Sequence, residues 1–442
     1  MKVRSIEIQA FRNIDHLCLK FDPRLTVFLG VNGSGKSSIL DSLHDLLSCY
    51  TSLLKIQSPF YLQPEQQKAH QTGMFKSFLR SQNLSWRGGR DLDIKNGSQT
   101  SLHNIKVINE NEDLSWALYQ EYGIGYILEN SNLDILQDFI FKFKSKLENK
   151  LESCIPLFVC YSTNRVVSEI PLEVLNENFH LFQALDDVSK PSATGFTSFF
   201  KWFRNVEDLE NERRRDDPTY KSPSLNAVRL AIPRFLDGFM DDLRVRRSPA
   251  LRMTISKAGE ELVINQLSDG EKCLLAMVGD LARRLSIANP DLEDPLQGEG
   301  IVLIDELELH LHPQWQRGVI SKLLETFPNC QFIISTHSPQ IVSDVKPENI
   351  YILKSVENKI TATHPESSFG RDSNQILETV MGVSARPEKF KNQLNELFRL
   401  IDEGKLYEAR VLKSTLSDEI GFDEPQFSKA NVLLRRKEVL GR

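Results

Sequence analysis

The run Gly30-Val31-Asn32-Gly33-Ser34-Gly35-Lys36-Ser37-Ser38 carries the spacing G-x-x-x-x-G-K-[ST]. Glycines at these positions let backbone N–H groups turn toward an anion, and a helix starting behind them adds the positive end of its dipole. Lys36 is placed to reach the β- and γ-phosphates and Ser37 to hold Mg²⁺, with Asn32, Gly33, Ser34, Gly35 and Ser38 lining the cradle. Far downstream, Asp305 and Glu306 follow the apolar run Ile301-Val302-Leu303-Ile304. Such a pair can divide two tasks, Asp305 holding the hydrated Mg²⁺ and Glu306 orienting and deprotonating an attacking water. His337, within Ser335-Thr336-His337-Ser338-Pro339, could donate to the γ-phosphate. Together these groups point to hydrolysis of a nucleoside triphosphate, with ATP and Mg²⁺ as the implied ligands.

Those side chains need elements to hold them. Leu25–Leu29 is a short apolar, partly β-branched run and predicts a buried strand ahead of the phosphate loop. Ile39, Leu40, Leu43, Leu46 and Leu47 then recur at helical spacing, predicting a helix with one apolar face. Residues 1–29 read as strands joined by turns, and His103–Tyr126 reads as a hairpin. The Gln- and Ser-rich stretch 51–102 reads as an insertion or long loop, 131–152 as a helix, and Pro156–Tyr161 as a strand ending in Ser162-Thr163-Asn164-Arg165. Residues 170–248 look mostly helical, with Phe196, Phe199, Phe200 and Phe203 as core and Arg213–Arg215 and Arg244, Arg246, Arg247 and Arg252 as basic islands. Strands return after Pro249, followed by a helix from Leu274 to Leu285 that is apolar nearly all round and so must be buried. Ile301–Ile304 and Gln331–Ser335 suit inner parallel strands, and Ile350–Leu353 reads as the last strand. Beyond residue 370 three helices are expected, with Leu394, Leu397, Phe398 and Ile401 as one stripe.

Composition sets outer bounds. The 442 residues hold 54 basic and 60 acidic side chains, a net charge of −6, so a chain-wide basic footprint for nucleic acid is missing and DNA contact would need local patches. Six scattered cysteines without a C-x-x-C pair argue against a disulfide framework and fit a reducing compartment. No apolar run approaches the length of a membrane span and no signal core follows Met1, which sets a cytoplasmic expectation.

The combination of the phosphate loop, Leu267-Ser268-Asp269-Gly270-Glu271, Ile304-Asp305-Glu306-Leu307-Glu308-Leu309-His310-Leu311-His312-Pro313 and Ser335–Pro339 resembles ABC-type ATPases of the SMC/RecF/OLD group. The resemblance implies an α/β fold, an ABC-type P-loop NTPase head with a mixed sheet flanked by helices, an inserted helical subdomain and a C-terminal helical tail. The corresponding divisions are 1–165 (first part of the head), 166–248 (helical subdomain), 249–368 (second part of the head) and 369–442 (tail for partner docking or oligomerisation). It also implies a dimer with two ATP molecules between protomers, in which Ser268, Asp269, Gly270 and Glu271 form a signature acting on the other protomer's nucleotide. Phe11-Arg12-Asn13 resembles the segment whose basic residue reaches bound nucleotide, which makes Arg12 and Asn13 candidates. A strand-end arginine held in an ion pair is the alternative. Glu308, His310 and His312 have the look of metal ligands, but match the family's interface loop. No glutamine occupies the expected place after Tyr161.

Phe369–Leu377, Gly382-Val383 and Arg386-Pro387 narrow the resemblance to the PtuA family, the ATPase component of Septu anti-phage systems with relatives in retron operons. That resemblance implies a homodimer or higher homo-oligomer and a separate HNH nuclease encoded nearby, with possible DNA contact and no membrane. The competing readings are a RecF-like repair ATPase that clamps DNA, a transporter ATPase subunit, and a nucleotide sensor with negligible turnover.

Overall fold

The computed structural model describes residues 1–55, 93–110, 112–127, 130–149, 154–163, 184–185, 194–248, 250, 252–356 and 359–440. Expectations for most of the 51–102 stretch, for Asn164-Arg165, for Pro249 and Leu251, and for the side chain of Phe196 lie outside them. By density of contacts the chain divides into two units, Met1–Asp372 and Ser373–Arg442.

The first unit opens with strands β1 (Lys2–Phe11), β2 (Ile14–Lys20) and β3 (Leu25–Leu29), then helix α1 (Lys36–Lys55). Strands β4 (Thr100–Asn109), β5 (Glu112–Glu121) and β6 (Gly125–Tyr126), helix α2 (Asp134–Glu148) and strand β7 (Leu157–Tyr161) follow. Helices α3 (Thr194–Arg213) and α4 (Pro223–Phe235) precede a meander of β8 (Met240–Arg246), β9 (Arg252–Lys257) and β10 (Glu260–Val263). Helix α5 (Asp269–Ala288), β11 (Gly300–Ile304), α6 (Val319–Thr326), β12 (Cys330–Thr336), β13 (Ile350–Val356) and β14 (Lys359–Thr363) complete the unit.

A six-stranded sheet in the order β14-β13-β3-β12-β11-β7 forms its centre. Five neighbours run parallel and β14 alone is antiparallel. Every residue of β3, β11 and β12 is buried, which is why these strands are mostly apolar: a parallel sheet covered on both faces has no solvent side to keep polar. In register, Leu29 faces Thr336 and Ile304 faces Ile334, so the strand ends open on one edge. The sheet therefore places β12 between the phosphate-loop strand and the Asp305 strand.

The second sheet, β2-β1-β4-β5-β6, is antiparallel and packs on α1, with Trp116 Nε1 donating to Leu46 O at 2.9 Å. Sandwiched between sheets, α1 is buried on almost every side, including Asp41, Ser42, His44, Asp45 and Ser48. The expected single apolar face is thus too narrow a description. Helix α5 is buried along nearly its whole length, in line with its apolar surface.

Two expectations need correction. The stretch 166–248 is not helical to its end, because Met240–Arg246 is a strand paired with β9. Ile350–Leu353 is not the last strand either, since β14 pairs with its continuation. An edge strand with one large buried residue, Ile360, gives almost no period-two signal.

The second unit begins at Ser373, not 369, and carries α7 (Glu388–Asp402), α8 (Leu406–Ile420) and α9 (Pro425–Leu440). Its own core joins Leu394, Leu397 and Ile401 to Leu416, Phe427 and Leu434, with Phe398 packed at the margin.

Candidate active site

The phosphate loop bridges the end of β3 and the start of α1. Gly33 and Gly35 adopt φ of +80° and +96°, a region that a side chain disfavours. At Gly35 a Cβ would also come within 2.4 Å of Ile360 Cδ1, so the overlooked strand β14 roofs the loop. A Cβ on Gly30 would meet Ser34 Oγ at 2.5 Å and Leu353 O at 2.7 Å. Lys36 is buried, and its ammonium donates to the carbonyls of Gly30 (2.9 Å) and Val31 (3.2 Å). Burial lowers its pKa, opposed by the carboxylates of Asp305, Glu306 and Glu308. Ser34 Oγ is buried without a hydrogen-bond partner. An orphaned hydroxyl and an ammonium resting on its own loop's carbonyls are what a phosphate cradle presents.

Opposite the loop, Ser37 Oγ donates to Asp305 Oδ2 at 3.0 Å. A hydroxyl beside a buried carboxylate is a hard oxygen pair that fits Mg²⁺ completed by waters and phosphate oxygens. Asp305 is oriented by Ser335, whose hydroxyl donates to Oδ1 at 2.5 Å and accepts the Glu306 N–H at 2.7 Å. Glu306 itself sits at φ +51°, a strained conformation for a non-glycine residue. Ser335 thus pins both members of the acidic pair, and the sequence reading did not assign it a role. Its signal was only a hydroxyl one register step from Ile304 on the adjoining strand.

Glu308 faces inward. Its Oε2 accepts from Thr336 Oγ1 at 2.8 Å and its Oε1 from the His337 N–H at 2.5 Å, fixing the turn that carries His337. His312 Nδ1 accepts from the Gln314 N–H at 3.3 Å, capping a short helical turn. With Glu308 and His312 so engaged, these residues act as scaffold. The His337 pKa is lowered, first by burial and then by the Lys36 charge, so its ring is neutral at pH 7.

The alternative for Arg12 is the one seen: its guanidinium pairs with Asp41 at 2.5 Å and Asp93 at 2.9 Å. It ties the phosphate-loop helix to the segment entering β4, and its backbone adopts φ +48°. Asn13 reaches the loop directly, Nδ2 donating to Gly33 O at 2.7 Å, while its Oδ1 is buried without a partner.

The signature lies apart from the phosphate loop. Ser268 is the N-cap of α5 in a capping box: its N–H and hydroxyl both donate to Glu271 Oε2 at 2.9 Å. Glu271 Oε1 takes Lys257 at 2.7 Å, so Glu271 is buried in the cap and not turned outward with Ser268 and Asp269. Gly270 is required by contact, since a Cβ would stand 2.3 Å from His310 O. In front of these residues opens a groove of about 1150 Å³ lined by Ser268, Asp269, Gly270, His310, Trp315 and Lys322 among others, and by no residue of 30–38.

The basic islands are largely neutralised. Arg244 pairs with Asp242, Arg247 with Asp208, and Arg246 with Glu261 at 2.8 Å.

Comparison with known proteins fits this geometry. A family model described as "AAA ATPase domain" matches residues 1–78, which hold the phosphate loop. Another, described as "AAA domain, putative AbiEii toxin, Type IV TA system", matches residues 165–343, which hold the signature, the acidic pair and His337. The chain is 29% identical to the Escherichia coli protein named "Retron Ec83 probable ATPase", over 96% of this chain and 85% of that one. It is also 29% identical to the Septu protein PtuA of Bacillus thuringiensis, but over only 37% of this chain and 44% of that protein. The likeness thus runs further along the retron ATPase than along PtuA. Among solved structures, an Smc head bound to the C-terminal winged-helix domain of ScpA aligns over 83% of this chain and 98% of its own, at 15% identity and a TM-score of 0.44.

Proposed function

We propose that this chain, an ATPase by its family matches and its ATPase-named relatives, is of the SMC/RecF/OLD group and is the regulatory subunit of a cytoplasmic bacterial anti-phage complex. In this reading two copies sandwich two ATP molecules, and the dimer controls a separate HNH nuclease. The observation that carries it is the division of nucleotide-handling groups between two faces. Ser37, Asp305 and His337 gather at the sheet edge, whereas Ser268 opens on a groove that the phosphate loop does not line. A second copy supplies the missing face, placing the N-terminus of α5 against the γ-phosphate. The likeness to retron and Septu ATPases supports the defence setting.

The geometry supports the following roles. Lys36 exchanges its two loop carbonyls for β- and γ-phosphate oxygens. Ser37 and Asp305 would hold Mg²⁺, which would supply charge neutralisation for the phosphates. Glu306 orients a water and takes its proton as the water oxygen bonds to the γ-phosphorus and ADP departs with the bond's electron pair. Neutral His337 donates to the γ-phosphate. Ser335 and Glu308 keep these groups in register.

The test is to co-express the chain with the HNH nuclease encoded beside it and assay DNA cleavage with ATP and with a non-hydrolysable analogue. A stable complex whose cleavage changes with nucleotide supports the reading. A nuclease that neither co-purifies nor responds to ATP overturns it.

A further inference from the structure

On the outer face of the β1–β2 hairpin, away from every group used above, three side chains of ligand chemistry converge. Glu7 and Cys18 are directly paired across the strands, and His16 stands two residues before Cys18 on the same face, paired with Gln9. The inward neighbours Ile6, Ile8, Leu17 and Leu19 are buried, so alternation turns this set toward solvent. His16 Nε2 lies 3.0 Å from Glu7 Oε1 and 3.7 Å from Cys18 Sγ, and all three donor atoms fall within 4.8 Å of one another. Among the described residues it is the one such gathering of three.

We propose that Glu7, His16 and Cys18 form a binding site for a zinc-class divalent cation. Zinc bonds of about 2.0–2.3 Å to O, N and S span tetrahedral edges of roughly 3.3–3.7 Å, which the His16–Glu7 and His16–Cys18 separations match with little movement. A carboxylate and a thiolate balance the two positive charges, and a water fills the fourth position. Gln9 Nε2 donates to Glu7 Oε1 at 2.9 Å and fixes the carboxylate from behind, the kind of outer contact that orients metal ligands. His16 and, more weakly, Lys106 on β4 are the positive groups acting on Glu7. The thiol gives up its proton when the cation binds, so binding strengthens as pH rises. The hairpin's turn carries Asn13 onto Gly33 of the phosphate loop, and a cation bridging the two strands stiffens that support.

The test titrates Co²⁺ into the full-length, reduced, chelator-treated protein without nucleotide. One equivalent is expected to bind with a thiolate-to-cobalt charge-transfer band, displaced by Zn²⁺. Cys18→Ser loses the band, and His16→Ala and Glu7→Gln lower affinity at least tenfold. Zn²⁺ raises the Tm of the parent but not of Cys18→Ser, whose metal-free Tm matches the parent because the side chain is exposed. No band, or a band and a Tm rise that persist in Cys18→Ser, overturns the proposal and would move the cation to Cys154 or Cys160, both half-buried.

Discussion

At the scale of single residues, the proposed roles separate groups that would bind nucleotide from groups that would act on water. Lys36→Ala removes the ammonium held over the loop and is expected to abolish ATP binding. Glu306→Gln spares the phosphate contacts and is expected to bind ATP while losing turnover. Ser335→Ala removes two hydrogen bonds from the acidic pair without touching nucleotide. At about 1 kcal/mol per bond, kcat should fall roughly tenfold or more with ATP affinity nearly unchanged. Calorimetric ATP titration and steady-state hydrolysis of the three variants decide the assignment, and equal affinity losses in all three would refute it. His103 gives a different prediction, about stability. Fully buried between Ser42 Oγ (2.5 Å) and Ser101 Oγ (2.9 Å), it has its pKa lowered by burial to about 3. The unfolded chain, titrating near 6.5, binds the proton that the fold refuses, so this contribution is complete above pH 6.5 and declines as pH falls toward 3. By pH 5 the loss is about 2 kcal/mol. Chemical denaturation at pH 7.5 and pH 5 should show a smaller drop for His103→Gln than for the parent, and identical drops would sink the account.

At the scale of elements, α5 is the part most exposed to a single change. Its N-terminus is held by the Ser268–Glu271 box and pressed against the loop after β11, where His310 adopts φ +66°. Gly270→Ala pushes a methyl into His310 O, a rigid backbone atom that cannot turn aside. The expected result is intact ATP binding at the phosphate loop with turnover reduced at least tenfold, read from the same two assays. Turnover within twofold of the parent would show that the loop gives way freely and that the contact sets nothing.

At the scale of the whole molecule, a site divided between two faces predicts complementation. A Ser268→Arg protein mixed with a Lys36→Ala protein should form heterodimers with one composite site carrying both changes and the other neither. Partial recovery of hydrolysis is expected, and a mixture as inactive as its components, with heterodimers present, would refute the shared site. The C-terminal unit makes a separate prediction. Leu394, Leu397 and Ile401 are spent on its own core and offer no surface for docking. Val383, Tyr407, Val411, Phe422, Val432 and Val439 are its exposed large apolar side chains among the described residues. A chain ending at Asp372 should keep ATPase activity and lose co-purification with the nuclease. Retained co-purification would place the docking surface elsewhere.

The phosphate loop, the parallel strands of the central sheet and the acidic pair were legible from sequence because each is local. Glycine spacing, an unbroken apolar run and a carboxylate at its end are properties of adjacent residues. Helix α5 was legible for the same reason, its apolar residues leaving no side for water. The partners of polar residues were not. Asp41, Ser42 and Asp45 read as the wet face of α1, yet they are buried because Arg12, His103 and Tyr126 arrive from other strands to satisfy them. Ser335 as the pin of Asp305, Glu308 as the anchor of His337 and Ile360 as the roof over Gly35 are likewise decided by strand order and register. The sequence alone determined that a phosphate cradle and a carboxylate pair exist. Only the tertiary structure decided which polar groups are held, which are left open, and that the signature faces a groove of its own, because a hydrogen bond across tens or hundreds of residues has no counterpart in local spacing.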